Sequence, residues 1–219
     1  PAFYAISKKL EQSGKNIHKV LSPHGSYNEY TLRKLSVFRR IYYYLYERKL
    51  IRDASMIHLV GPTELNGFNF YMERTNSSIV CLPDGDDFDV KGPFQLRPHD
   101  GKKDPFIITY SGVVNIHEKG LDILMESLGK FCKEIYSSVE LWMIGGGPDM
   151  DALNDLIRSN GLVQRVRLLG ELDADERKKL LLQSHVFVHP SRNDVIPITL
   201  LEAASIGLPL IVSEETNLG

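Results

Sequence analysis

From Phe106 onward, apolar and polar positions alternate between two periods. Phe106–Val114 (FIITYSGVV) is an apolar, β-branched run and predicts a buried strand. Leu121, Leu124, Leu128, Phe131 and Ile135 recur at spacings of 3, 4, 3 and 4, one face of a helix over Lys119–Ile135. Val139–Ile144 predicts a second strand, ended by three glycines, and Met150–Asn160 a helix stopped by Gly161. Val166–Leu169 predicts a third strand. Asp173, with Glu176 three residues on, has the form of a capping box for the next helix. His185–Pro190 predicts a fourth strand, Ile198–Ile206 a helix closed by Gly207, and Leu208–Val212 a fifth strand. Strand and helix in strict alternation predict a parallel sheet with right-handed crossovers, covered on both faces.

The pattern before Phe106 is less regular. Pro1–Gly14 reads as a helix and Lys19–Leu21 as a short strand. A long basic-aromatic helix is expected over Glu29–Arg52, with Leu32, Leu35, Phe38, Tyr42 and Leu45 on one face. Short strands at Met56–Val60 and Ser78–Leu82 flank a helix near Glu64–Arg74. A strand of three residues cannot form a core alone, so preceding strands are expected beyond this chain. The Gly-, Pro- and Asp-rich stretch that follows reads as a linker. The organisation expected is α/β throughout: a first domain over 1–90, incomplete at its N-terminus, a linker over 91–104, and a second domain over 105–219, incomplete at its C-terminus.

Composition narrows the class. The chain has 219 residues, 42% hydrophobic and 25% charged, as expected of a globular protein and not of a disordered or coiled-coil chain. No run of 18 apolar residues is present. Net charge is 26 − 28 = −2, which gives no general pull toward nucleic acid. The charge is uneven, however: Asn28–Arg52 carries seven basic and two acidic residues, so +5, and the remainder −7. The basic side chains Arg33, Lys34, Arg39, Arg40, Arg48 and Lys49 either form a solvated helix face or hold the chain on an anionic membrane surface. Two cysteines, Cys81 and Cys132, cannot build a disulfide framework and suit a reducing cytoplasm; Cys132 falls on the buried side of its helix.

Candidate chemistry lies at strand ends. Gly145-Gly146-Gly147-Pro148 is either a tight strand-to-helix turn or a place where a ligand approaches bare backbone. Met150 stands where a dinucleotide fingerprint needs its third glycine. The Asp84/Asp86 and Asp87/Asp89 pairs resemble metal-diphosphate ligands, but they sit in a turn signal without a third ligand. His185 and His189 are four apart on a strand, a poor arrangement for a ligand pair. Asp194 and Glu202 are eight apart, in the loop after a strand and on the next helix. Pro197 suits the first helical position, which would leave the N–H groups of Ile198, Thr199 and Leu200 free for a phosphate. Glu202, a turn deeper, could then bond a ribose hydroxyl; alternatively both acids only complement the helix dipole. Lys119 lies at another helix start, either solvated or facing an anion.

Together these segments resemble glycosyltransferase family 4, the retaining sugar-nucleotide transferases of the GT-B fold, over nearly the whole chain. The segments are Gly112…Lys119-Gly120-Leu121-Asp122, Ile144-Gly145-Gly146-Gly147-Pro148, Val166…Leu169-Gly170, and His189-Pro190-Ser191-Arg192 with Asp194 and Glu202. Earlier in the chain they are Pro23-His24-Gly25, Ala54–His58 with Glu64, and Ile79…Leu82-Pro83-Asp84-Gly85, the last read as a hinge and not a metal site. The resemblance implies two Rossmann-like, doubly wound domains with a cleft between them, the second holding the nucleotide sugar and the first the acceptor.

It implies catalytic roles for His24, Lys119, Asp194 and Glu202. It implies donor contacts from Gly112, Lys119, Gly145, Gly147, Arg192, Asp194, Ile198, Thr199, Leu200 and Glu202. The expected reaction moves a sugar from a nucleotide-sugar donor to a saccharide or lipid-linked acceptor in cell-surface polysaccharide or glycolipid synthesis, with no metal and no cofactor. The setting expected is cytoplasmic, peripheral on the inner face of a membrane. Three positions depart from the family pattern: Val113 in place of an arginine, Asp194 in place of a glutamate, and Val195 in place of a glycine. They leave two alternatives, a non-catalytic GT-B partner or regulatory subunit, and a sugar-nucleotide epimerase on the same fold.

Overall fold

The computed structural model describes residues 9, 12, 18–27, 36–71, 77–83, 85, 104–134, 138–194 and 196–216. All of the helix expected over Pro1–Gly14 except Lys9 and Gln12, the Asp84/Asp86 and Asp87/Asp89 pairs, most of the linker, Arg33, Lys34 and Val195 fall outside the described residues. The chain divides into two compact units, Pro1–Asp84 and Gly85–Gly219.

The second unit is built on β4 (Phe106–Ser111), β5 (Val139–Ile144), β6 (Val166–Gly170), β7 (Val186–His189) and β8 (Leu210–Val212). All pairings are parallel, in the order β6-β5-β4-β7-β8. The helices are α4 (Ile116–Lys119), α5 (Leu121–Glu134), α6 (Met150–Ser159), α7 (Ala174–Leu181) and α8 (Ile198–Ser205). One face of the sheet buries Leu121, Met125 and Leu128 of α5 and Leu153 and Ile157 of α6. The other buries Leu181 of α7 and Leu200 and Ala203 of α8. Alternation along β7 sends Val188 to the first face and Phe187 to the second. Burying one such side chain is worth about 1.5–3 kcal/mol, so these stripes hold the helices in place. The capping box of Asp173 and Glu176 forms as its spacing predicts.

One expected element splits. The helix over Lys119–Ile135 is instead α4 and α5, separated by Gly120 in the left-handed conformation, φ 63°. Leu121, Leu124 and Leu128 are buried, whereas Phe131 is exposed; Ile135 lies outside the described residues. Lys119 therefore ends a one-turn helix as well as preceding a long one.

The first unit has β1 (Val20–Leu21), β2 (Met56–Leu59) and β3 (Ser78–Cys81), parallel in the order β1-β2-β3. Its core is Tyr27, Ile51, Ala54, Ile57, Leu59 and Phe68, the last on α3 (Pro62–Tyr71). The long helix is described as α1 (Val37–Tyr42), a π-helical stretch over Tyr43–Glu47, and α2 (Arg48–Asp53). The face that its apolar residues share is not a buried one. Phe38 is 84% exposed and Leu45 61%, while Ile51 carries the packing; Leu32 and Leu35 lie outside the described residues. That face is turned outward at Phe38, before the π stretch, and again at Leu45 within it.

Candidate functional site

In the second unit the chain proceeds from β4 outward through β5 to β6, then returns to the other side of β4 for β7 and β8. Ligands in open α/β sheets bind at that reversal, beyond the carboxyl ends of the strands. Lys119 follows β4 and Asp194 follows β7, so the topology alone brings them to the same place.

Side chains and backbone then fix the distance. Asn115 caps α4, its side chain accepting the Glu118 N–H at 3.0 Å. The loop after β7 is tied to α4: Ser191 Oγ donates to the Glu118 carbonyl at 3.0 Å, the Arg192 N–H to the same carbonyl at 2.9 Å, and Asn193 Nδ2 to Glu118 Oε1 at 2.9 Å. The Arg192 guanidinium grips both Asp122 oxygens at 2.8 Å and the His117 carbonyl at 2.9 Å. A Cβ on Gly120 would lie 2.0 Å from the Pro190 carbonyl oxygen, so only glycine lets this corner close.

The product is a three-membered polar cluster. Lys119 Nζ donates to Asp194 Oδ2 at 2.5 Å, and His189 Nε2 to the same oxygen at 2.8 Å. A carboxylate only accepts, so the His189 proton is on Nε2; its Nδ1 is buried with no hydrogen-bond partner among the described residues. The imidazole is 1% exposed, stacked on Tyr110 at 5.8 Å and Phe187 at 6.4 Å. Burial by itself would raise the Asp194 carboxyl. The His189 hydrogen bond and the charge and hydrogen bond of Lys119 outweigh it and hold the group below the usual carboxylate range. Burial, then the Asp194 charge, push the Tyr110 phenol well up. Among the described residues no hydrogen bond ends on Asp194 Oδ1, which is left for a ligand hydroxyl.

The start of α8 borders the cluster. Pro197 stands before the helix as its N-cap, not in its first turn, and its carbonyl accepts the N–H of Leu200 at 3.0 Å. The Leu200 N–H is therefore committed, which corrects the expectation of three free donors; Ile198 and Thr199 keep theirs among the described residues. Thr199 Oγ1 donates to the Ser111 carbonyl at 2.9 Å and pins this helix start to the end of β4. Glu202, a turn deeper, receives Arg177 Nε and one terminal nitrogen, one on each oxygen, both at 2.6 Å. A carboxylate has about four acceptor positions, so this fork leaves room for a hydroxyl.

The glycines have a packing reason. A Cβ on Gly145, at φ 123°, would lie 2.1 Å from the Gly112 carbonyl oxygen, and one on Gly147 2.4 Å from that of Val114. The N–H groups of Gly112 and Gly145 go to the carbonyls of Ile144 and Gly170. The tight-turn reading of these glycines is what the backbone displays. His185 and His189 are not a pair: His185 Nδ1 accepts the Ile107 N–H at 2.9 Å. Arg177 was hidden from sequence reasoning, since no periodicity links a residue on α7 to one on α8.

In the first unit, His24 lies in a turn after β1 with φ 45°, the one positive φ outside glycine among the described residues. Arg48 and Lys49 lie on α2, and Arg39 and Arg40 in the backbone of α1. Among the described residues no helix is long and apolar enough to cross a membrane.

Known proteins share both pattern and fold. A family model described as glycosyl transferases group 1 matches residues 93–218, more than half of the chain. The phosphatidylinositol N-acetylglucosaminyltransferase gpi3 subunit of Schizosaccharomyces pombe is 29% identical over 118 residues, 54% of this chain and 25% of that protein. Sucrose-phosphate synthase from Thermosynechococcus elongatus superposes with TM-score 0.71 at 17% identity, over 94% of this chain and 52% of that one. Anabaena Alr3699/HepE, solved with UDP and glucose, superposes with TM-score 0.68 at 18% identity, over 90% of this chain and 53% of that one. The chain thus spans about a quarter of the length of the curated relatives it matches.

Proposed function

The chain belongs to the group 1 glycosyl transferases, with the GT-B fold, and from that premise we propose that it works in a retaining, metal-independent transfer of a sugar from a nucleotide sugar to a saccharide or lipid-linked acceptor. The observation that carries this reading is the Lys119–Asp194 pair at the sheet reversal, beside the open N–H groups of Ile198 and Thr199. A donor diphosphate would draw Lys119 away from Asp194 and lie against the start of α8, where the helix dipole favours an anion. Glu202, steadied by Arg177, would hold the ribose. Asp194, kept in place by His189, would offer Oδ1 to the sugar. Arg192 serves this site through the loop it clamps. As the bond from the anomeric carbon to the diphosphate oxygen breaks, its electron pair passes to that oxygen beside Lys119. The acceptor oxygen bonds to the same face of the carbon, and its proton goes to the departing phosphate. Catalysis is then positioning and charge stabilisation. His24 serves the acceptor side.

Thermal unfolding with and without UDP tests the donor site. UDP at about 100 times its dissociation constant should add roughly 2.7 kcal/mol. No shift with UDP, GDP or ADP at millimolar concentration would reject it.

The membrane reading gains a specific feature. Val37, Phe38, Ile41, Tyr44 and Leu45 are exposed along α1 and the π-helical stretch, in a segment of sequence that also carries Arg33, Lys34, Arg39, Arg40, Arg48 and Lys49. Exposed apolar residues in a basic segment suit the interface of an anionic bilayer. It supports a cytoplasmic setting, peripheral on a membrane's inner face. Each cation near such a surface is worth about 1 kcal/mol. The chain should therefore sediment with phosphatidylserine vesicles at low salt and not with phosphatidylcholine alone. Equal recovery with both, or with neither, would remove the membrane from the reading.

A further inference from the structure

Glu64 is fully buried, at 0% exposure. A carboxylate taken out of water must have its oxygens satisfied by hydrogen bonds or its burial is strongly unfavourable. Here each oxygen has a backbone donor, and the donors come from separate segments. Oε1 accepts the Gly25 N–H at 2.6 Å, and Oε2 the Val60 N–H at 3.0 Å. Glu64 stands in the first turn of α3, where the helix dipole favours a negative charge. The side chain therefore fastens the turn after β1 to the loop that follows β2.

That turn is strained at one residue. Ser26 N–H bonds the Pro23 carbonyl at 3.2 Å, with φ 45° at His24 and φ 80° at Gly25. Glycine adopts such a conformation freely; a histidine does so at a cost and needs its surroundings to enforce it. The Gly25 N–H, one residue beyond His24, is the group that Glu64 seizes. A second contact limits the ring itself. His58 lies edge-on to it, with centroids 6.4 Å apart at 87°. His58 is held in turn by Ser22 Oγ at 2.8 Å and the Leu82 carbonyl at 2.9 Å.

We propose that Glu64 is a positioning residue: its buried carboxylate locks the His24-Gly25 turn in the left-handed conformation and so aims the His24 imidazole at the acceptor. The proposal rests on the reading that His24 serves the acceptor side. It explains why an ionisable side chain is buried in a small core at a helix start, where an apolar residue would pack as well.

The test compares Glu64→Gln, His24→Ala and the double variant in the full chain. Glutamine keeps the shape, but its amide opposes one N–H with another. The readouts are UDP binding by calorimetry and UDP release from UDP-glucose and UDP-N-acetylglucosamine, with and without membrane lipid as acceptor. Glu64→Gln should leave UDP affinity within about twofold, since that site lies in the other unit, and lower kcat by about 10²-fold, the loss that misplacing a reacting group by ~1 Å produces. His24→Ala should lose as much, and the double variant no more than either alone. Losses that multiply in the double variant, or a silent Glu64→Gln beside a damaged His24→Ala, would overturn the positioning role alone. A silent His24→Ala in an active enzyme would overturn the reading of His24, and this proposal with it. Glu64→Asp, which keeps the charge but cannot span both N–H groups, replaces the glutamine variant if that fails to fold. Hydrogen exchange on the unaltered chain decides the geometry without turnover: the Gly25 amide should be protected as core amides are. Exchange at the rate of an exposed turn would refute the lock.

Discussion

Replacing Lys119 with alanine is expected to cut affinity for UDP by roughly 10- to 100-fold, the worth of about 1.5–3 kcal/mol for a hydrogen bond to a charged group. Uridine affinity should change by less than about twofold, because a nucleoside presents no anion to that cation. Calorimetry on both ligands separates the two effects, and Lys119→Arg should restore most of the loss. Equal weakening for UDP and uridine would show that Lys119 only supports the fold. The same variant has a signature in acid. Asp194 is held below its ordinary range partly by Lys119, so its contribution to stability is present above the unfolded value of about 3.9 and is lost as pH falls through the folded value. Without Lys119 the folded value rises, and the acid limb of the stability curve should shift to higher pH.

The second unit was legible because its signals are redundant. Strands buried on both faces read as continuous apolar runs, each followed by a helix with its own stop, so errors at one boundary do not disturb the next. The miss at Lys119 is instructive. In sequence Gly120 reads as part of a motif, yet its physical role is to break one helix into α4 and α5 and let the corner press on Pro190. Nothing in a one-dimensional period announces a break that keeps the helical residues helical on both sides. Arg177 and Glu118 escaped for a different reason. Their importance lies in pairings across 25 and 75 residues, which depend on how the elements are ordered in the sheet and not on spacing.

In the first unit equal spacing put Phe38 and Leu45 on one face but did not tell which way that face turns, and both residues are exposed. At Pro23-His24-Gly25 the left-handed dihedral falls on His24 as well as on the glycine, and the Gly25 N–H is bound by a glutamate 39 residues further on, beyond β2. A buried carboxylate at a helix start can be read in sequence as dipole chemistry alone, and only its two partners show what it fastens.

Asp194 and Glu202 should prove unequal, and the structure sharpens how. Asp194 occupies Lys119 in the absence of donor, so Asp194→Asn frees that cation. Affinity for UDP should hold or rise, while turnover of a nucleotide sugar falls by about 10²-fold, the scale of a lost transition-state contact. Asp194→Glu should also lose activity. Oδ2 is already gripped at 2.5 Å by Lys119 and 2.8 Å by His189, and a further methylene drives the carboxylate into them. Glu202→Ala should act on binding instead, weakening UDP by roughly 10- to 100-fold through the ribose. It also strands the Arg177 guanidinium, whose side chain is only 20% exposed, so the melting temperature should drop as well. Arg177→Gln separates these two effects. If Arg177 merely steadies Glu202, UDP affinity should fall by less than in Glu202→Ala while the melting temperature falls comparably. Should the alanine variants of both acids lower the melting temperature and leave UDP affinity and turnover untouched, the acids do no more than complement the dipole of α8. Lys119 would then be a structural cation, and the donor site would have to be sought elsewhere on the sheet.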